Sequence, residues 1–421
     1  MVTVTYSGLA AWISGVAGAT AGDIHQLDDG SYSGAAITMA SVSGVTAKSK
    51  NLLGAVLTGG PISIGGDGLT FEGFDLQYVK ATGDFVLFDG TACRFTRNLC
   101  HFDNGGTGDQ KWFMIRDNNV MFDHNTVFGK TTVDDMFLVG GGTQRRSGRI
   151  LYNHFHTFNE GTNNTKSEVL RIGESSMVFI DFGCEVAYNL FETIDADTEV
   201  ISVKSMNNNI HHNTFRNTNG SLVLRQAVLN HIHNNVFINT GMRVHGNNHE
   251  IDHNCFIRNT LGGVSRTLFL ASATVADHII QSGTNNNAGS SGTAISLNSD
   301  EAKVYNCNIH DNVIAMDDQA TGLIVMLGDS TSEAFQPTSN FFSYNIIQAL
   351  DGTLTNAISG SVGWGHNVLS GNILYISGSA ALGDMKTSGY FNVNPQLLRT
   401  SDLAVRCTYV LNSGDVGVVG P

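Results

Sequence analysis

The segment Thr198–Ser205, TEVISVKS, reads as a β-branched strand that ends in a lysine, with two carboxylates, Asp197 and Glu199, at its entrance. An amine in such a place can act as a base once it is uncharged. Two carboxylates with one intervening residue can contribute to a hard oxygen site for Ca²⁺. Strand alternation puts Val200, Ser202 and Lys204 on one face and Ile201 and Val203 on the other. Ile201 and Val203 make the better core pair, so Lys204 is expected to face outward. Glu199 has the wrong parity for that face on a straight strand and is expected, with Asp197, at the preceding corner. Asn164 and Glu168, in NNTKSEVLRIG, are the nearest candidates to complete a calcium site. Simple pairing of the acidic corner with Lys204 or Arg171 fits the spacing equally well.

Further cations recur at related places. Arg116 and Lys204 each stand nine residues before an asparagine, Arg225 stands ten before and Arg243 eleven before. Arg171 joins them if the extra residues of its long interval, around GESSMVFIDF, come after it. Each alone reads most simply as a solvated basic residue. Together they form a column, and like charges on neighbouring strands repel unless an anionic ligand lies across them. A polyanionic chain along a groove would satisfy the column.

The elements that could stack these residues come from a repeat. Asparagine followed two residues later by an apolar side chain recurs at Asn98, Asn125, Asn153, Asn189, Asn213, Asn235, Asn254, Asn312, Asn345 and Asn367, with many intervals of 19 to 28 residues. That period belongs to solenoids. Each coil is too short to bury its own apolar face and must stack on its neighbours. Asparagine suits the corners because it tolerates the left-handed conformation and its amide can bond locally, and stacked asparagines can also form ladders. The expected fold is all-β: a single-domain right-handed parallel β-helix over residues 1–421, with Cys100 and Cys255 as core filler. An N-terminal cap is expected over 1–25, where Leu9, Trp12, Ile13, Val16 and Ala17 fall at helical spacing. An inserted loop region is expected over 260–303, containing the polar run Ser282–Thr293, and a C-terminal end over 375–421.

Composition narrows the classes. Forty-eight glycines against four prolines in 421 residues describe a turn-rich folded chain. A net charge of -14 excludes a nucleic-acid backbone as partner. No apolar run reaches the roughly 20 residues that span a bilayer, and no signal peptide opens the sequence. Six scattered cysteines without a CxxC pair signal neither zinc site nor disulfide framework, so buried thiols are expected.

EVLRIG (168–173), DADTEVISVKS (195–205), GSLVLRQ (220–226) and TGMRVHGNNH (240–249) resemble, in order and spacing, the central motifs of polysaccharide lyase family six, the alginate lyases and dermatan-cleaving chondroitinase B type. Weaker likeness runs from GDIHQLDDGSYSG near the start to FNVNPQLL near the end. The resemblance implies β-elimination on a uronic acid polymer, most simply alginate, by a secreted or periplasmic enzyme. Lys204 would be the base and Arg225 the acid or charge stabiliser. The family's calcium pair would map to Asp197 and Glu199, with its asparagine near Asn164. Arg171, Arg243, Arg116, Gln226 and His249 become candidate substrate contacts. The family's usual Leu-Arg-His-Gly is here Leu224, Arg225, Gln226, Ala227, and glutamine cannot titrate. The chemistry agrees with the residue types. Removing the C5 proton of a uronate builds charge on its carboxylate, which a cation must neutralise. A lysine titrating near ~10.4 in water needs cationic neighbours to favour its neutral form. The alternatives are a dermatan sulfate lyase, a β-helix glycoside hydrolase using Asp134 and Asp135, which lie outside the counted column, and a non-catalytic carbohydrate-binding fibre or adhesin.

Overall fold

The structure is a computed structural model that describes residues 1–34, 36–39, 43–58, 60–77, 83–102, 110–140, 146–159, 167–258, 266–270, 302–316, 323–327, 337–349, 358–360, 367–376, 390–392 and 410–418. Asn164, the run 282–293 and most of the expected C-terminal end lie outside them. The chain divides into two compact units. The first comprises Met1–Ile172, Phe182–Thr198 and Leu411–Pro421, the second Gly173–Asp181 and Glu199–Val410.

Within each unit the coils contribute strands in turn to three parallel sheets, A, B and C. In the first unit Thr46–Ser49 joins sheet A, Ala55–Leu57 sheet B and Ile62–Ile64 sheet C, and Thr70–Glu72 then returns to sheet A. The pairings are parallel and in register, as in Phe71↔Phe95 and Phe95↔Phe122. This is the parallel β-helix expected from the repeat. Strands three to six residues long dominate because a corner follows each of them.

The asparagines form the stacked ladders expected as one of their roles, but they are not themselves the left-handed residues. The left-handed residue is the one before each asparagine: Arg97, His124, Tyr152, Tyr188, His212, Asn234, His253, Asp311 and Tyr344 all have φ between 54° and 58°. The asparagine itself is buried. Asn98 donates its Nδ2 to Asn125 Oδ1 at 3.2 Å, Asn125 to Asn153 at 3.1 Å and Asn153 to Asn189 at 3.0 Å. In the second unit Asn213, Asn235, Asn254, Asn312, Asn345 and Asn372 continue the same pattern among themselves. Asn372, not Asn367, follows Asn345. Asn367 instead accepts from Asn340 in a second ladder. Two residues after each ladder asparagine from Asn98 to Asn345 an apolar side chain is buried, and Phe215, Phe237 and Phe256 stack at 4.8 and 4.7 Å.

The N-terminal helix spans Leu9–Ala17 and buries Trp12 and Val16. No side chain caps its first turn, so packing holds it. The Trp12 indole lies against Phe71 and Phe74 and donates to His25 O at 3.0 Å. A strand the sequence did not announce, Thr3–Tyr6, precedes the helix and pairs with Ile24–Leu27. One expectation about cysteine is corrected: Cys255 is disulfide-bonded, whereas Cys93, Cys100, Cys184 and Cys307 are buried free thiols.

Outward-facing rings also stack in the first unit, where His101, Phe128 and His156 form a ladder at 5.1 and 4.9 Å. Burial and the neighbouring His154 push the His156 imidazole down to about 4. Its folded value thus lies below the usual ~6.5. The stability it contributes is complete above ~6.5 and is lost as pH falls towards 4. The variant H156F keeps the stack and removes the titration. Its thermal midpoint is expected to fall less than that of the parent between pH 6.5 and 4; equal falls would remove His156 from this account.

Candidate active site

Sheet C of the second unit carries the cations. Ser202, Val223 and Arg243 are partners in register, as are Val203, Leu224 and Val244. The next residues, Lys204, Arg225 and His245, take equivalent places just beyond the three strands. The Arg225 N–H donates to Val203 O at 3.0 Å and the His245 N–H to Leu224 O at 2.8 Å. The counted column is therefore two rows: Lys204, Arg225 and His245 after the strand ends, and Arg243 two residues earlier on the same face. His245 takes its place here through the strand register, which spacing from an asparagine does not reveal.

Glu199 corrects the parity argument. It opens the strand Glu199–Val203 and pairs with Ser221, while Ile201 pairs with Leu222. Val200 is thus an extra residue, a bulge, and the bulge turns Glu199 onto the face of Val223 and Arg243. Its side chain is 3% exposed, and Oε1 accepts from Arg225 Nη1 at 3.2 Å and Arg243 Nη2 at 2.6 Å. A buried carboxylate needs such partners, and this one holds two guanidinium groups together on neighbouring strands.

Lys204 is 8% exposed, so it belongs to the wall of the coil rather than to a solvated fringe. The chain beside it is close. Gly173 has φ +85°, and a Cβ there would come within 2.7 Å of Lys204 O. On the far side Asn208 donates to Ser205 Oγ at 3.0 Å and Asn230 to Ser205 O at 3.1 Å. Gln226 is buried, on the opposite parity from Arg225. His249, a candidate substrate contact, is 1% exposed. Its Nδ1 accepts from the Asn230 N–H at 3.2 Å and its Nε2 donates to His245 O at 3.0 Å. In this arrangement its ring braces the main chain.

The first unit assembles a second cluster. Arg171, at the centre of Leu170–Ile172, meets Asp135 Oδ2 at 2.5 Å. Register places Asp135 level with Glu168, since Phe137 pairs with Leu170. Both carboxylates are buried, close enough for each charge to act on the other. Burial and the Glu168 charge push the Asp135 carboxyl well above its ordinary value, against the pull of Arg171. Asp135 thus stands against Arg171, not apart from the basic residues as the counting had it. Asp134 pairs with Lys111. The loop bearing these aspartates is held by the buried Lys130 ammonium, which donates to the carbonyls of Thr132, Val133 and Asp134 and lies 4.8 Å from the Phe158 ring centre. Asp197 accepts from the Ser167 N–H at 3.3 Å and the Thr198 hydroxyl at 3.1 Å, one residue from Glu168. Arg116 follows its strand but pairs with Asp84 at 3.1 Å and Asp89 at 3.7 Å.

The donor set of the first unit suits a hard dication. Glu168 and Asp135 offer neighbouring buried carboxylates and Asp197 a further one beside Ser167, oxygen ligands of the kind calcium takes.

Coils that give one strand to each of three parallel sheets define a parallel β-helix protein. The family described as Chondroitinase B matches residues 12–299, and the chain belongs to that family, within polysaccharide lyase family six. No curated protein sequence matches it significantly. Among solved structures it is similar to a mannuronic acid specific polysaccharide family 6 lyase from human gut microbiota, with TM-score 0.79 and 20% identity over 96% of this chain and 94% of that one. It is similar also to the family 6 polysaccharide lyase Pedsa3628 of Pseudopedobacter saltans, with TM-score 0.72 and 18% identity over 100% and 99%. A family 6 alginate lyase in complex with a trisaccharide matches at TM-score 0.71 and 18% identity over 90% and 86%.

The Glu199 pairing predicts strong coupling. E199Q and R243Q are each expected to lower stability by about 1–3 kcal/mol in urea unfolding, and the double variant by clearly less than their sum. Additive losses would mean that the two side chains do not interact.

Proposed function

We propose that this chain cleaves a uronic acid polysaccharide, with alginate as the favoured substrate, by β-elimination at the sheet C wall of its second unit. The observation that carries the reading is the register of Lys204 and Arg225 on adjacent strands, with Arg243 on the same face and Glu199 bridging the two guanidinium groups. A fibre or adhesin has no need of a nearly buried amine beside this pair.

In the reaction the uncharged Lys204 amine takes the C5 proton of the uronate. The electron pair of that C–H bond forms the C4–C5 double bond as the C4–O bond breaks, and the departing oxygen gains a proton. Guanidinium neighbours work against a second cation at position 204, which favours the form that abstracts. Arg243 and Arg225 offer planar forks suited to the substrate carboxylate, whose charge grows as the proton leaves. Arg225 acts as charge stabiliser; because arginine itself is a poor acid, the departing oxygen takes its proton from water or another side chain.

Calcium belongs to the proposal through Glu168 and Asp197 of the first unit, with Asp135 as a further carboxylate; when bound it would supply positive charge there. Glu199, expected to share that role, is engaged by Arg225 and Arg243. Export to an oxidising compartment fits the disulfide at Cys255.

Incubation with alginate, polymannuronate, polyguluronate and dermatan sulfate, followed by ultraviolet absorbance, tests the reaction class and the substrate together. A new unsaturated product is expected with alginate. Signal from dermatan sulfate alone would replace the substrate; saturated products would indicate hydrolysis, and no product would favour a binding protein. K204A is expected to lower turnover by at least ~10³-fold with an unchanged thermal midpoint, a loss beyond the 10²–10⁴-fold range only if the lysine does more than move a proton. Thorough chelation is expected to lower activity, and an unchanged rate would take calcium out of the account.

A further inference from the structure

Sheet A of the second unit carries a different set of groups, unused by the reaction above. Its strands His231–His233, Glu250–Asp252 and Asn308–His310 pair in register, His231 with Glu250 and Asn308, and His233 with Asp252 and His310. Alternate residues of a strand share a face, so these six side chains form a grid two wide and three deep. Its contacts run diagonally. His310 Nε2 lies 2.6 Å from Glu250 Oε1, and His231 Nε2 lies 2.5 Å from Asp252 Oδ1. Ligand atoms of Glu250, Asp252 and His310 all fall within 4.8 Å of one another.

The outer partners of these groups point the same way. His310 Nδ1 is held by Asp311 Oδ2 at 2.7 Å, and Asp252 Oδ2 by His253 Nδ1 at 2.6 Å. Asn308 Nδ2 donates to Glu250 Oε1 at 2.9 Å. A carboxylate on the far nitrogen of an imidazole fixes its orientation and turns the near nitrogen into a ligand, the arrangement found behind metal-bound histidines. Imidazole nitrogen mixed with carboxylate oxygen suits zinc better than calcium or magnesium, which take oxygen alone.

We propose that Glu250, Asp252 and His310 form a surface site for a divalent transition metal, zinc by donor type, with His231 as fourth ligand. A bound ion replaces the shared protons, drawing each donor to ~2.0–2.2 Å. It ties together three strands, two of which, Glu250–Asp252 and Asn308–His310, are adjacent in the sheet but separated by more than fifty residues of chain.

The test is calorimetric titration of chelator-stripped protein with zinc chloride, and it is independent of the lyase reading. About one ion per chain is expected to bind, with affinity lowered at least ~10-fold in E250Q and in H310Q and unchanged in K204A. Lyase activity should be the same in E250Q and H310Q as in the parent. No zinc binding, or equal affinity in parent and both variants, overturns the site. Should either variant fold poorly, cobalt(II) added to the parent chain decides: visible absorption typical of a low-coordinate nitrogen and oxygen site is expected, and its absence overturns the proposal.

Discussion

Buried amides impose the constraint on which the rest of this structure depends. A ladder asparagine such as Asn235 donates Nδ2 to the oxygen of the next asparagine and to main-chain carbonyls, and its own oxygen accepts from the N–H and the side chain of the previous one. Sliding one coil by a single residue would strand these groups away from water, at about 1–3 kcal/mol for each buried donor or acceptor left unpaired. Register within a unit is therefore fixed far more tightly than apolar packing alone would fix it. The left-handed residue before each asparagine follows from the same demand. The backbone must turn so that the amide enters the coil, and arginine, tyrosine and histidine accept that strain because the ladder over-determines it.

Fixed register turns sequence spacing into chemistry. Lys204 and Arg225 meet because Val203 and Leu224 are locked as partners, and Arg243 faces the same way because Val223 is locked to it. The bulge at Val200 then adds what a regular strand could not: a carboxylate on the cationic face. Without it Glu199 would point to the other side, and two guanidinium groups on neighbouring strands would lack a shared counter-charge.

Much of this was legible in the chain. Asparagine followed by an inward apolar residue is a local pattern repeated many times, so the coil and its period could be read directly. Lys204 and Arg225 were legible as neighbours because both lie in regular coils. The failures share a cause. Glu199 was misplaced by one extra residue, which parity counting cannot see. Asp135 was set apart from the basic residues because counting from an asparagine fails across the long interval from Asn153 to Asn189, whereas pairing of Phe137 with Leu170 brings it to Arg171. Asn367 was taken for a ladder member because its tetrapeptide matches; the ladder runs through Asn372 instead. The bond at Cys255 had no CxxC spacing to announce it.

The choice of arginine at 225 and 243 follows from the charge arrangement. Each must spend part of its hydrogen-bonding capacity on Glu199 and still address an anion. A guanidinium has five donors spread over a planar fork, so one edge can hold the buried carboxylate while another stays directed elsewhere. A lysine at either place would concentrate its charge on one small ammonium and be drawn wholly towards Glu199. The roles of the three basic residues are thereby divided by shape. In the proposed reaction the arginines act as fixed charge, anchored by a carboxylate the solvent barely reaches, while the residue proposed to lose and gain a proton is the one whose side chain can exist uncharged. In this pairing one buried carboxylate faces two guanidinium groups, on a protein whose net charge is -14. The proposed uronate carboxylate is the kind of ligand the free edges of such forks suit.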